Sequence, residues 1–149
     1  MEYSWRGKMF LTEDIKTLDS KMEELVKANP HYHWCGIYRV EGDNLVLTCY
    51  RGAPTPHSII PKGEGICGAA VRENQTLNIR DVKSDPRYLS CDIKTKSELV
   101  VPIRNPLGEP IGEIDIDSHF VDAFTQKDID LIEKTAIELA PILLRVITS

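Results

Sequence analysis

The sequence predicts an α+β domain: a central antiparallel sheet of about five to six strands flanked by N- and C-terminal helices. Three observations lead there. Apolar residues recur at spacings of three and four near both ends of the chain, as amphipathic helices require. Between those regions the apolar period drops to two or to short runs, the signature of strands. Turn-forming clusters, EGDN, GAPTP, KGEG and NPLGEP, punctuate that middle region.

The elements follow in order. From Thr12 to Ala28 the residues Ile15, Leu18, Met22, Leu25 and Val26 form an apolar stripe, and Asn29-Pro30 ends it. The segments WCGIYRV (34–40), NLVLTCY (44–50), TLNIRD (76–81), ELVVPIR (98–104) and PIGEIDID (110–117) read as five strands. GICGAAVREN (65–74), rich in small residues, reads as a short helix crossing one end of the sheet. The last helix starts at Thr125, with Asp128 at capping-box spacing, and carries Ile129, Ile132, Ala136, Ile137 and Leu139. Pro141 is expected to kink or restart its final turns. The longest irregular stretch, about 82–96, contains Cys91, and a loop of that length in a compact domain usually serves a function.

At 149 residues, 42% hydrophobic and 28% charged, the chain has the size and composition of one folded domain, 1–149. A net charge of -5 with scattered lysines and arginines gives no electrostatic footprint for nucleic acid or an anionic membrane. The N-terminus has no apolar signal core and no stretch is long enough to span a bilayer, so a cytoplasmic location is expected. Four cysteines (Cys35, Cys49, Cys67, Cys91) in a reducing compartment are not a structural disulfide framework, and no CxxC or Cys/His spacing suggests zinc. No metal or cofactor is expected, and any disulfide would be transient.

Strand alternation groups the side chains. In WCGIY, Trp34, Gly36 and Tyr38 share one face, and the Gly36 gap between two aromatics is expected to leave room for a ligand. In GEIDID, Glu113, Asp115 and Asp117 share a face opposite Ile114 and Ile116. Either these acids decorate a solvated sheet, or they line a cleft with the aromatics as an apolar wall and the loop cysteine as nucleophile. Cys35 reads as core on the Ile37 side, and Cys49 as core on the side of Leu45 and Leu47. His31, His33 and His119 stand at segment ends without ligand spacing and are expected to be exposed.

Four ordered blocks, HWCGIY, KGEGICGAAV, YLSCDIKTKSELVVPI and PIGEIDIDS, closely resemble the free methionine-(R)-sulfoxide reductases, a branch of the GAF-domain proteins. The resemblance spans roughly residues 30–140 and implies a GAF-like fold. PIGEIDID alone is a weak signal, whereas GxCG together with CDxxxxSE is specific. The resemblance implies that Cys91 is the catalytic cysteine and Cys67 its GxCG partner. It likewise matches Glu98, Asp115 and Asp117 to the acids around the substrate, and Trp34 and Tyr38 to its aromatic wall. Many members carry a third, resolving cysteine ten residues before the GxCG cysteine; here that position is His57.

The chemistry so implied is thiol-dependent reduction of free L-methionine-(R)-sulfoxide. Cys91 attacks sulfur, Glu98 or Asp115 protonates the oxygen, and a Cys91 sulfenic acid condenses with Cys67 or meets an external thiol. A thioredoxin-like reductant is the expected partner, and the helical stripes would suit a homodimer. The competing expectation is a GAF sensor that binds a small molecule without turnover. A third is a dimerisation module, which leaves the cysteine and acid placement unexplained.

Overall fold

The structure, a computed structural model, describes residues 8–89 and 93–149. Helix α1 (Lys8–Ala28) leads into β1 (Trp34–Glu41), β2 (Asn44–Arg51) and a three-residue β3 (Ile59–Pro61). Helix α2 (Gly65–Glu73) and β4 (Leu77–Ile79) follow, then a 3-10 turn at Val82–Ser84. The chain closes with β5 (Ser97–Arg104), β6 (Pro110–Ser118) and α3 (Gln126–Thr148). The six strands form one antiparallel sheet in the order β3-β2-β1-β6-β5-β4.

Alternation along the central strands divides the interior into two cores. On one face Cys35, Ile37, Ile114 and Ile116 pack against Leu18 and Met22 of α1 and Ile132, Leu139 and Leu143 of α3. On the other, Trp34, Tyr38, Leu45 and Val100 pack against Ile66, Cys67, Ala70 and Val71 of α2. The stripes of α1 and α3 are thus spent largely on the sheet. Helix α3 begins as expected, with the Thr125 N–H donating to Asp128 Oδ2 at 2.8 Å.

Several expectations need correction. Strand β3 is absent from the sequence reading because IIP is too short to show a period, and β4 is half the length expected for 76–81. Cys49 is buried with Ile37 on the helix-covered face, not with Leu45 and Leu47. A bulge explains this: Ile37 pairs with Cys49 but Tyr38 with Leu47, so Thr48 is an extra residue and the alternation flips. Ile137 is 77% exposed and outside the α3 stripe, which runs Ile132, Ala136, Leu139, Leu143, Val146. Pro141 does not break α3. The residue whose carbonyl it leaves without a helical donor is Ile137, on the exposed side where water can serve instead.

Gly112 marks the tightest crossing in this frame. A Cβ there would sit 2.4 Å from the Tyr38 carbonyl oxygen and 2.6 Å from Leu143 Cδ2. Backbone cannot yield as a side-chain tip can, so Gly112→Ala is expected to destabilise the fold by about 3 kcal/mol. Urea unfolding checks this: the midpoint should fall with an unchanged slope.

Candidate active site

The β1–β6 register sets Trp34 opposite Asp117, Gly36 opposite Asp115 and Tyr38 opposite Glu113. The β5–β6 register adds Glu98 beside Asp117. Because these positions alternate with Ile114 and Ile116, all four acids point away from the terminal helices toward α2. Helix α2 brings Cys67 down onto them. Its close seating depends on Gly68, where a Cβ would meet the Lys62 carbonyl oxygen at 2.6 Å. None of the acids decorates a solvated face: Glu98, Glu113, Asp115 and Asp117 are all buried.

Cys67 Sγ lies 3.9 Å from Glu98 Oε2. The Cys67 sulfur and one carboxylate oxygen each from Glu98 and Asp115 fall within 4.8 Å of one another, a set able to hold a metal ion. Burial pushes the Asp115 carboxyl above the usual carboxylate range, and hydrogen bonding with Glu98 and Cys67 draws back only part of that shift. A carboxyl raised in this way, buried beside a second one, is disposed to keep its proton. Glu113 is pushed well up by burial and then by Asp115. Burial raises the Cys67 thiol well above its ordinary value, and the neighbouring carboxylates Asp115, Glu113 and Glu98 push it further. The site therefore stores protons on acids, and its described thiol rests protonated.

The candidate residues line two cavities. Tyr38, His57, Cys67, Glu98 and Asp115 face a small one of about 20 Å³, room for little more than a water. Trp34 and Asp117 face a larger one of about 140 Å³, with His33, Lys94, Thr95 and His119. The Gly36 gap is not ligand space. The Trp34 indole fills it, with Cη2 2.5 Å from where a Cβ would stand. The indole is fixed there by stacking on Tyr50 at 5.6 Å and by donating from Nε1 to the Ala53 carbonyl at 3.1 Å. The Tyr38 hydroxyl donates to the His57 carbonyl at 2.7 Å, tying the 52–58 loop over the smaller cavity.

Of the residues expected from sequence, Trp34, Tyr38, Cys67, Glu98, Asp115 and Asp117 come together on this face; Cys91 lies outside the described residues. The histidines are not exposed as expected. His31 Nε2 meets Asp128 Oδ1 at 2.9 Å, and His33 and His119 stack at 3.9 Å, half-buried, on the larger cavity. Cys35 and Cys49 are core thiols, with burial pushing Cys49 up to about 12. The family resemblance does not match Glu113 to the site, although the cleft reading of the strand face includes it. Its signal was available, since alternation already groups it with Asp115 and Asp117.

These shifts set the pH dependence of stability. Glu113 and Asp115 have folded-state values above their unfolded ones, so they oppose folding near neutrality and cease to as pH falls toward about 4. Asp128 behaves oppositely. Burial raises it, but the Tyr32 hydroxyl, the Thr125 N–H and His31 outweigh burial and hold it low, so its contribution is lost as pH falls below about 4. Thermal melts from pH 8 to pH 3 should show the midpoint rising to a mildly acidic maximum and then dropping. Glu113→Leu should flatten the rise and leave the drop.

The sequence profile of the GAF domain matches residues 16–143. Among curated relatives, GAF domain-containing protein A of Dictyostelium discoideum is 36% identical over 104 residues, 69% of this chain and 65% of that protein. The free methionine-R-sulfoxide reductase of Escherichia coli is 35% identical over 119 residues, 78% of this chain and 70% of that protein. Among solved structures, the type II free methionine-R-sulfoxide reductase from Thermoplasma acidophilum superposes with a TM-score of 0.90 at 38% identity, covering 93% of this chain and 97% of that one. The chain belongs to the GAF domain family and, within it, to the free methionine-R-sulfoxide reductases.

Proposed function

We propose that this protein, as a single domain spanning 1–149, reduces free L-methionine-(R)-sulfoxide to methionine, with Cys91 as nucleophile. The observation that carries the reading is the buried thiol and acid cluster of Cys67, Glu98 and Asp115, in a chain of this family. Reduction needs a nucleophile at sulfur and a proton for the departing oxygen. The Cys91 thiolate attacks the sulfoxide sulfur while Glu98 or Asp115 protonates its oxygen. The oxygen ends on Cys91 as a sulfenic acid: the methionine sulfur gains two electrons and the cysteine sulfur loses two. Cys67 then condenses with it, releasing water and forming a disulfide, which a thioredoxin-like dithiol reduces. Trp34 and Tyr38 form the apolar wall, and Asp117 holds the substrate ammonium.

The protein is expected to work in the reducing cytoplasm and to pair through its terminal helices, where Leu131 and Ile137 offer exposed apolar surface. No helix among the described residues is long and apolar enough to cross a membrane. The test is loss of free L-methionine-(R)-sulfoxide with dithiothreitol, run beside the S epimer and a peptide-bound sulfoxide. Turnover of the free R epimer alone is the expected result. Saturable binding of that epimer with no methionine formed would instead make the domain a sensor.

A further inference from the structure

The same cluster has the composition of a cation site. Cys67, Glu98 and Asp115 are 5%, 5% and 4% exposed, and their donor atoms lie within 4.8 Å of one another. A tetrahedral zinc ion, bonded to sulfur at about 2.3 Å and to oxygen at about 2.0 Å, sets those two donors about 3.5 Å apart. The Cys67 to Glu98 separation of 3.9 Å is within a small side-chain adjustment of that. An independent observation comes from Glu113. It is 0% exposed, it lies against the Cys67 thiol, and apart from that weak sulfur donor neither carboxyl oxygen has a hydrogen-bond partner. A buried polar group without a partner costs free energy, and a cation at this position would supply one. Among the described residues, no lysine or arginine lines the cavity to do so.

We propose that Cys67, Glu98, Asp115 and Glu113 take up one zinc-class divalent cation when the protein is reduced, and that the bound cation blocks turnover. One sulfur with three oxygens suits zinc better than magnesium or calcium, which take oxygen ligands alone, or copper(I), which prefers several soft ones. Occupation removes Cys67 from the reaction and fills the cavity beside Asp115. The inhibitory half rests on the function proposed above; the binding half stands on geometry alone.

Cobalt(II), titrated into the phosphine-reduced, metal-free full chain, tests it. The expected result is a thiolate-to-cobalt charge-transfer band with intensified visible bands of tetrahedral cobalt, saturating at one ion per chain and erased by zinc. Cys67→Ser should abolish the charge-transfer band. Glu113→Gln should keep it with affinity weakened roughly tenfold or more. No band, or a band that survives Cys67→Ser, overturns the site. If Cys67→Ser does not fold by circular dichroism, Asp115→Asn and Glu113→Gln decide, and unchanged cobalt affinity in both overturns it. Zinc added to single-turnover reactions of the reduced chain, freed of reductant, should block methionine formation at one equivalent, and a block only at large excess overturns the regulatory half. A cobalt band without turnover leaves the site standing and removes the function; turnover without a band does the reverse.

Discussion

Cys91→Ser is expected to lower turnover of free methionine-(R)-sulfoxide by roughly a thousandfold or more, since a hydroxyl cannot replace a thiolate as nucleophile at sulfur. Cys67→Ser is the informative companion. If Cys67 only resolves the sulfenic acid, the variant still forms about one methionine per chain without reductant, then stops with Cys91 open to a sulfenic-acid trap. The wild-type chain also stops after one methionine, but with a disulfide and nothing to trap. The resting Cys67 thiol supports this division, because burial and its acidic neighbours hold it protonated and make it a poor first nucleophile. A full first turnover in Cys91→Ser would reverse the assignment. Rapid-quench measurement of methionine, beside mass analysis of the trapped adduct, distinguishes these outcomes.

Asp117→Asn carries the second large expectation. Asp117 is buried beside Trp34 on the larger cavity, and Asn keeps its shape while removing its charge. Losing one charge-assisted hydrogen bond to the substrate ammonium, about 1.5–3 kcal/mol, should raise KM roughly 10- to 100-fold with kcat changed far less. The preference for free over peptide-bound sulfoxide should shrink in parallel, because that preference depends on a charge the peptide lacks. Parallel losses in kcat and kcat/KM would instead give Asp117 a role in the chemical step.

The central architecture was legible because two plain periods were present. The Leu18 to Leu25 stripe, the alternation of β1 and β6 and the small-residue run of α2 all appear where expected. Alternation alone also places the acids together and the aromatics together. What it could not supply was depth. Nothing local in GEIDID distinguishes a solvated acidic face from a buried one; that is decided by α2 and the 52–58 loop, distant in sequence. Local pattern likewise misled where geometry broke it, as with Cys49 beyond the Thr48 bulge and Gly36, whose space belongs to its neighbour Trp34. The metal-capable set was hidden because its donors sit at 67, 98 and 115 on three separate elements, with no spacing motif to reveal them.

The pairing of β1 with β6 at the middle of the sheet also dictates when the reactive centre can exist. All the other strands lie between these two in the chain, so their register is a long-range contact whose loop-closure entropy must be met before it forms. Until β6 docks, Asp115 is a hydrated, ordinary acid, and the burial that raises it and the Cys67 thiol is absent. The weakened acidity of the finished site is thus a property of the β1–β6 pairing and not of the residues themselves.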